Sequence, residues 1–125
     1  MNPLLLVMAG GAMGAGARHL VNRGMLHAFG PSWPWGTLSV NLIGGLLMGV
    51  LVGLLARSAA GGEQWRLLLG TGVLGGFTTF SAFALDTAGM IQRGDLASAM
   101  GYVLLSIAGA ILAVFAGLAL TRVSA

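Results

Sequence analysis

Residues 75–83 read Gly-Gly-Phe-Thr-Thr-Phe-Ser-Ala-Phe, which places two glycines, two threonines and a serine inside an otherwise apolar, uncharged segment. Residues 67–85 can cross a hydrocarbon core of roughly 30 Å at about 1.5 Å per helical residue, so the polar cluster falls near mid-membrane. Freed backbone groups at that depth are costly unless protein, water or an ion satisfies them, and the pattern predicts a broken helix lining a pathway. Asn41 lies one turn inside another apolar stretch. Its amide is either interhelical glue or, through two N–H donors, a ligand for an anion. Phe80 and Phe83, three residues apart, share a helix face. That spacing serves packing, or it turns the positive ring edges toward a pore where they stabilise an anion without binding it tightly. Thr79, Ser81, Tyr102 and Ser106 supply hydroxyls that can donate to an anion, and Tyr102 and Ser106 are four apart on one helix face. The alternative for the serine and threonine hydroxyls is bonding to the carbonyl four residues back.

The elements that must hold these residues are membrane spans. The 125-residue chain is 57% hydrophobic and 7% charged, with 22 glycines and no cysteine, outside the range of soluble globular proteins. Four uncharged stretches stand out, residues 1–17, 36–56, 67–85 and 96–120. The expectation is an all-α membrane protein in which residues 1–125 form one four-span transmembrane domain with no soluble domain. Ala15-Gly16-Ala17 resembles a signal cleavage site, but no cationic segment precedes the apolar run, so a retained first span is expected. The first uncharged stretch gives only about 25 Å of helix, so Arg18 must snorkel or lie inside the protein. Gly30-Pro31 and Trp33-Pro34-Trp35 mark a turn at headgroup level, after which the second span starts. Residues 57–66, with Ser58-Ala59-Ala60-Gly61-Gly62, read as a mobile loop, and the third connection is expected from about Asp86 to Asp95.

Gly45, Gly49 and Gly53 recur every four residues and predict a face where another backbone approaches closely. Gly10 and Gly14 repeat that spacing in span one, and Gly109 and Gly117 lie two turns apart in span four. Six arginines produce the net charge of +3 against Glu63, Asp86 and Asp95. They are scattered among the span ends as anchors and topology signals, and form no nucleic-acid patch. With alternating spans, Arg57, Arg66 and Arg122 fall on one side, and Arg18, Arg23 and Arg93 on the other. This balance either permits insertion in both orientations or leaves the choice to a partner or to span hydrophobicity. A bundle this thin encloses little space, so a homo-oligomer is expected, most simply an antiparallel dimer. No carboxylate pair or base-activated nucleophile is evident, so no catalytic residue is assigned. His19 and His27 lack the four-residue spacing that would favour a metal.

Three motifs together resemble the Fluc (CrcB) family of small bacterial fluoride channels over nearly the whole chain. They are Gly10-Gly11-Ala12-Met13-Gly14-Ala15-Gly16-Ala17-Arg18, Gly36-Thr37-Leu38-Ser39-Val40-Asn41-Leu42-Ile43-Gly44, and the nine residues from Gly75 to Phe83. The resemblance implies a dual-topology antiparallel homodimer in the bacterial inner membrane, with two fluoride pores lined by both subunits and a structural sodium ion at its centre. By motif position Asn41, Phe80 and Phe83 correspond to fluoride-coordinating residues, and Ser81 to a pore-lining hydroxyl. Arg18 corresponds to a vestibule arginine, while Tyr102 and Ser106 resemble a polar track in span four. The backbone carbonyls of Gly75 and Thr78 would hold the sodium, an oxygen environment suited to a hard cation. Asp86 stands where relatives often carry glutamate. The implied function is passive, selective fluoride export without cofactor or nucleotide, through a dry pore that replaces the hydration of the anion. A drug/proton exporter of the small multidrug resistance type requires a carboxylate in span one, and none is there. A non-conducting assembly protein would leave Asn41 and the span-three cluster without a role.

Overall fold

The computed structural model describes residues 2–57 and 62–122, and residues 58–61 of the expected second connection lie outside them. Helix α1 (Pro3–Phe29) opens on Asn2, whose side chain accepts the Leu4 N–H at 2.8 Å, with proline at the first helical position. It closes on Gly30, whose φ of 77° lets its N–H turn back to the Leu26 carbonyl. Span one therefore runs well past the expected end at residue 17. Its 27 residues give about 40 Å of helix, more than the hydrocarbon thickness, so the last turns carry Arg23 and His27 out to the headgroups. Arg18 remains inside the helix and half-buried.

Helix α2 (Trp35–Leu55) starts at the tryptophan–proline turn, where it was expected. The third span, Gly62–Gln92, is assembled from pieces. A short α3 (Gly62–Trp65) leads into a wide π-helical stretch (Arg66–Leu74) and one α-turn, α4 (Gly75–Phe77). The chain is then extended at Thr78 (φ −85°, ψ 160°) and Thr79 (φ −150°, ψ 119°) before α5 (Phe80–Gln92) begins. Residues 62–66 of the expected loop are thus helical. The expected connection from Asp86 to Asp95 shrinks to residues 93–95, because the Asp86 carboxylate finds a donor inside the bundle and α5 continues past it. Gly94, with φ 79°, makes that tight turn, and Asp95 caps α6 (Leu96–Leu120) by accepting the Ser98 N–H at 3.2 Å. Among the described residues, four helical spans are long and apolar enough to cross a membrane. This is a multi-pass all-α membrane protein with a broken third span.

The helices pair along two glycine seams. In the first, α2 lies on α6. A Cβ at Gly45 would come within 2.8 Å of the Ala110 carbonyl oxygen, and one at Gly49 within 3.0 Å of Gly117 Cα. In the second, α1 lies on the third span. A Cβ at Gly10 would reach 2.9 Å from Gly72 Cα, and one at Gly76 would reach 3.0 Å from Gly11 Cα. Lipid tails are as apolar as leucine, so close backbone packing, not apolar burial, must hold these pairs. The buried apolar cluster is correspondingly small: Leu38, Phe83, Met90, Ala99 and Tyr102. Large apolar side chains such as Leu4, Leu20, Leu104 and Leu112 face outward, where lipid would cover them.

Gly49→Val drives a branched side chain into the Val114 carbonyl and Gly117. Overpacking of this kind costs about 1–3 kcal/mol, and the variant is expected to unfold at lower temperature in detergent while Gly16→Ala, with open space around it, does not.

Candidate functional site

The break in the third span is closed by a side chain from another helix. Asn41 donates from Nδ2 to the Thr79 carbonyl at 3.0 Å and accepts the Thr79 N–H on Oδ1 at 2.8 Å. These two bonds fix the orientation of the amide, since a backbone N–H requires oxygen opposite it and a carbonyl requires nitrogen. Asn41 is therefore interhelical glue, with one Nδ2 N–H left over. The space above it is also prepared. Gly44, one turn on from Val40, is buried directly under the Thr78 methyl group, so a side chain there would displace the extended segment.

Around the break the remaining polar groups divide by function. The Thr78 hydroxyl donates back to the Leu74 carbonyl at 3.0 Å, extending the end of the first half-helix. Thr79 caps the second half: its hydroxyl accepts the Ala82 N–H at 3.1 Å and lies 3.4 Å from the Ser81 hydroxyl. Arg18 crosses from α1 and donates through Nε to the Gly76 carbonyl at 3.1 Å, placing a cation against the carbonyl end of the first half-helix. Within the cluster expected to break the helix, Gly75 and Gly76 are themselves helical, and the extended residues are the threonines. Gly76 is needed for its approach to Gly11.

A groove of about 390 Å³ opens beside the break. Asn41, Thr78, Thr79, Phe80, Phe83 and Ser106 line it together, on an otherwise apolar wall from α2 and α6. The Phe80 and Phe83 rings are 5.6 Å apart and tilted by 45°. Phe83 is buried, whereas Phe80 is 79% exposed. The Ser106 hydroxyl is buried and has no hydrogen-bond partner among the described residues. An orphaned polar group of this kind costs about 1–3 kcal/mol and calls for a ligand. Tyr102 does not line the groove. It is fully buried behind Phe83, with ring centroids 5.2 Å apart, and its hydroxyl donates to Asp86 at 3.1 Å. Ser81 is exposed next to Thr79, and Gly75 is exposed on the outer face of the span. Among the described residues there is no group of three or more histidine, aspartate or glutamate side chains able to hold a metal. What the arrangement can do follows from its donors: a helix N-terminus, one amide N–H and one free hydroxyl converge on an apolar groove, and all favour an anion.

Residues 5–118 match the family described as CrcB-like protein, Camphor Resistance (CrcB). The chain belongs to this family. Relatives named fluoride-specific ion channel FluC include one from Sphingopyxis alaskensis, 57% identical over 122 residues, covering 98% of this chain and 97% of the relative. One from Phenylobacterium zucineum is 56% identical over 123 residues, covering 98% and 97%. One from Mesorhizobium japonicum is 51% identical over 119 residues, covering 95% of each. This CrcB-like chain thus shares nearly its full length with proteins named as ion channels and not as enzymes.

Asn41→Ala removes both bonds to Thr79 and leaves its N–H and carbonyl unpaired. The expected cost is about 1–3 kcal/mol per orphaned group. Hydrogen exchange should show faster exchange at Thr79 and Ala82 while the α2–α6 seam keeps its protection, and unchanged exchange at Thr79 would refute the clamp.

Proposed function

We propose that this protein is a fluoride channel of the bacterial inner membrane, passing the anion through the groove beside the helix break. The observation that carries the proposal is the Ser106 hydroxyl, buried without a partner in the groove that also holds Asn41 and the two phenylalanine rings. Fluoride holds its water tightly, so a dry pore must offer replacement donors and still release the ion. The spare Asn41 N–H, the Ser106 hydroxyl and the edges of Phe80 and Phe83 are such donors. The Phe80 and Ser81 N–H groups open α5 and donate to no protein partner among the described residues, so the positive end of its dipole faces the same region. Arg18 would draw anions toward the break from the vestibule, with Thr79 and Ser81 as further hydroxyls. Tyr102 continues the polar line beyond Phe83. The relatives named fluoride-specific channels support the choice of anion.

One chain leaves the groove open on the side where Phe80 is exposed, so a second copy is needed to wall it. The even division of arginines between the two ends supports an antiparallel homodimer inserted in both orientations, with two pores across its axis. Sodium fits the break. No hydrogen bond reaches the Gly75 or Thr78 carbonyl among the described residues, so both are free for a hard cation, and paired copies would double that oxygen set. The ion would supply positive charge that joins two broken helices. The channel is passive: hydrofluoric acid that enters and dissociates in the cytosol leaves as the anion.

Liposomes holding the purified protein should release fluoride to an ion-selective electrode when a potassium ionophore dissipates the opposing voltage, and should retain chloride. Ser106→Ala is expected to slow that flux by about tenfold or more, the loss of one hydrogen bond of ~1.5 kcal/mol to a charged group. Phe80→Leu should slow it by about threefold to tenfold with the dimer intact. Absence of fluoride flux from folded wild-type protein would overturn the proposal.

A further inference from the structure

A second cavity, of about 410 Å³, lies at the end of the bundle between the turn that joins α1 to α2 and the second half of α5. Asn22, Trp33, Thr37, Asp86 and Arg93 are among its lining residues. A stack of rings links it to the groove. Phe83 lines the groove, Tyr102 stacks on Phe83, and Trp33, which lines the cavity, stands edge-on to Tyr102 at 5.3 Å. Asp86, on the cavity side, accepts the Tyr102 hydroxyl, so the charge of this carboxylate is met by a donor at the cavity floor.

Arg93 is different. The one ion pair among the described residues joins Arg66 to Glu63 at the other end of the bundle, so the Arg93 charge has no acidic partner there. Its side chain folds back over Gly89: a Cβ at Gly89 would come 3.3 Å from Arg93 Nη1. The missing side chain at Gly89, four residues earlier, therefore leaves room for the guanidinium to lie back along α5, and both residues line the cavity.

We infer that this cavity is the second mouth of the anion pathway, and that Arg93 sets the rate of anion entry and exit there by raising the local anion concentration. The inference rests on the channel reading of the groove. Arg93 acts at a distance, as an electrostatic positioning residue at the mouth. A unit charge several ångströms from an ion in water changes its local concentration by about twofold to threefold, and salt at high ionic strength erases that gain.

The test measures fluoride flux from liposomes at low and at high ionic strength, the added salt being an impermeant anion. Arg93→Gln should lower flux about twofold to threefold at low ionic strength and leave it near wild type at high, and Arg93→Lys should restore it. The chain has no native cysteine, so Arg93→Cys can be labelled after folding. A negatively charged thiol reagent should then slow the flux and a positively charged one of similar size should speed it. Wild-type flux with position 93 blind to the sign of the charge overturns this inference alone. Failure of the wild type to pass fluoride overturns the channel reading and this inference with it.

Discussion

Everything at the candidate site depends on one paired interaction, the Asn41 amide bonded to both the N–H and the carbonyl of Thr79. An extended dipeptide in the middle of an apolar span leaves backbone groups that water cannot reach, and the α-helical alternative would satisfy them internally. The break persists because a side chain on α2 substitutes for the missing helical bonds. Once it persists, the rest follows. Thr79 can cap α5, the Phe80 and Ser81 N–H groups are left without a backbone partner among the described residues, and Phe80 and Phe83 are set on its first turn beside Asn41. Without the clamp the cheapest structure is a continuous helix, in which those donors would be consumed.

The clamp needs α2 and the third span at a fixed separation, and the glycine seams provide it. On the α1 side, Gly10, Gly14, Gly72 and Gly76 bring two backbones nearly into contact, and Arg18 adds a bond to the carbonyl end of the first half-helix. On the α2 side, Gly44 admits the Thr78 methyl group directly below the break. The other face of α2 is locked to α6 by Gly45, Gly49 and Gly117, which carries Ser106 into the groove. Glycine here serves close approach, and threonine serves the change of direction.

This division explains what the sequence made legible. Four spans, their glycine faces and the start of α2 can be read from period and composition, because a membrane imposes length and small-residue spacing directly. The position of the break within residues 75–83 was also legible, from polar residues where none are cheap. Its chemistry was only half so: Gly75 and Gly76 belong to the same polar cluster, yet both are helical, Gly76 packing against Gly11 of α1 while Gly75 stays exposed. The pairing of Asn41 with Thr79 spans 38 residues and leaves no local trace. The ends of α1 and α5 were misplaced for a common reason. Arg18 and Asp86 looked like span ends, but each finds a partner inside the bundle, Gly76 for one and Tyr102 for the other. The orphaned Ser106 hydroxyl required the packed structure, since spacing alone placed it only on a face with Tyr102.

The account rests on the donors at the break meeting an anion. The most direct measurement is the change in amide nitrogen and proton chemical shifts on adding fluoride, against chloride at equal ionic strength, in protein labelled with ¹⁵N and reconstituted in a membrane mimetic. The account predicts fluoride-specific shifts at the Asn41 side chain and at the Phe80 and Ser81 backbone amides, with none from chloride. Shifts confined to the helix ends, or equal for both halides, in protein that passes fluoride would contradict it.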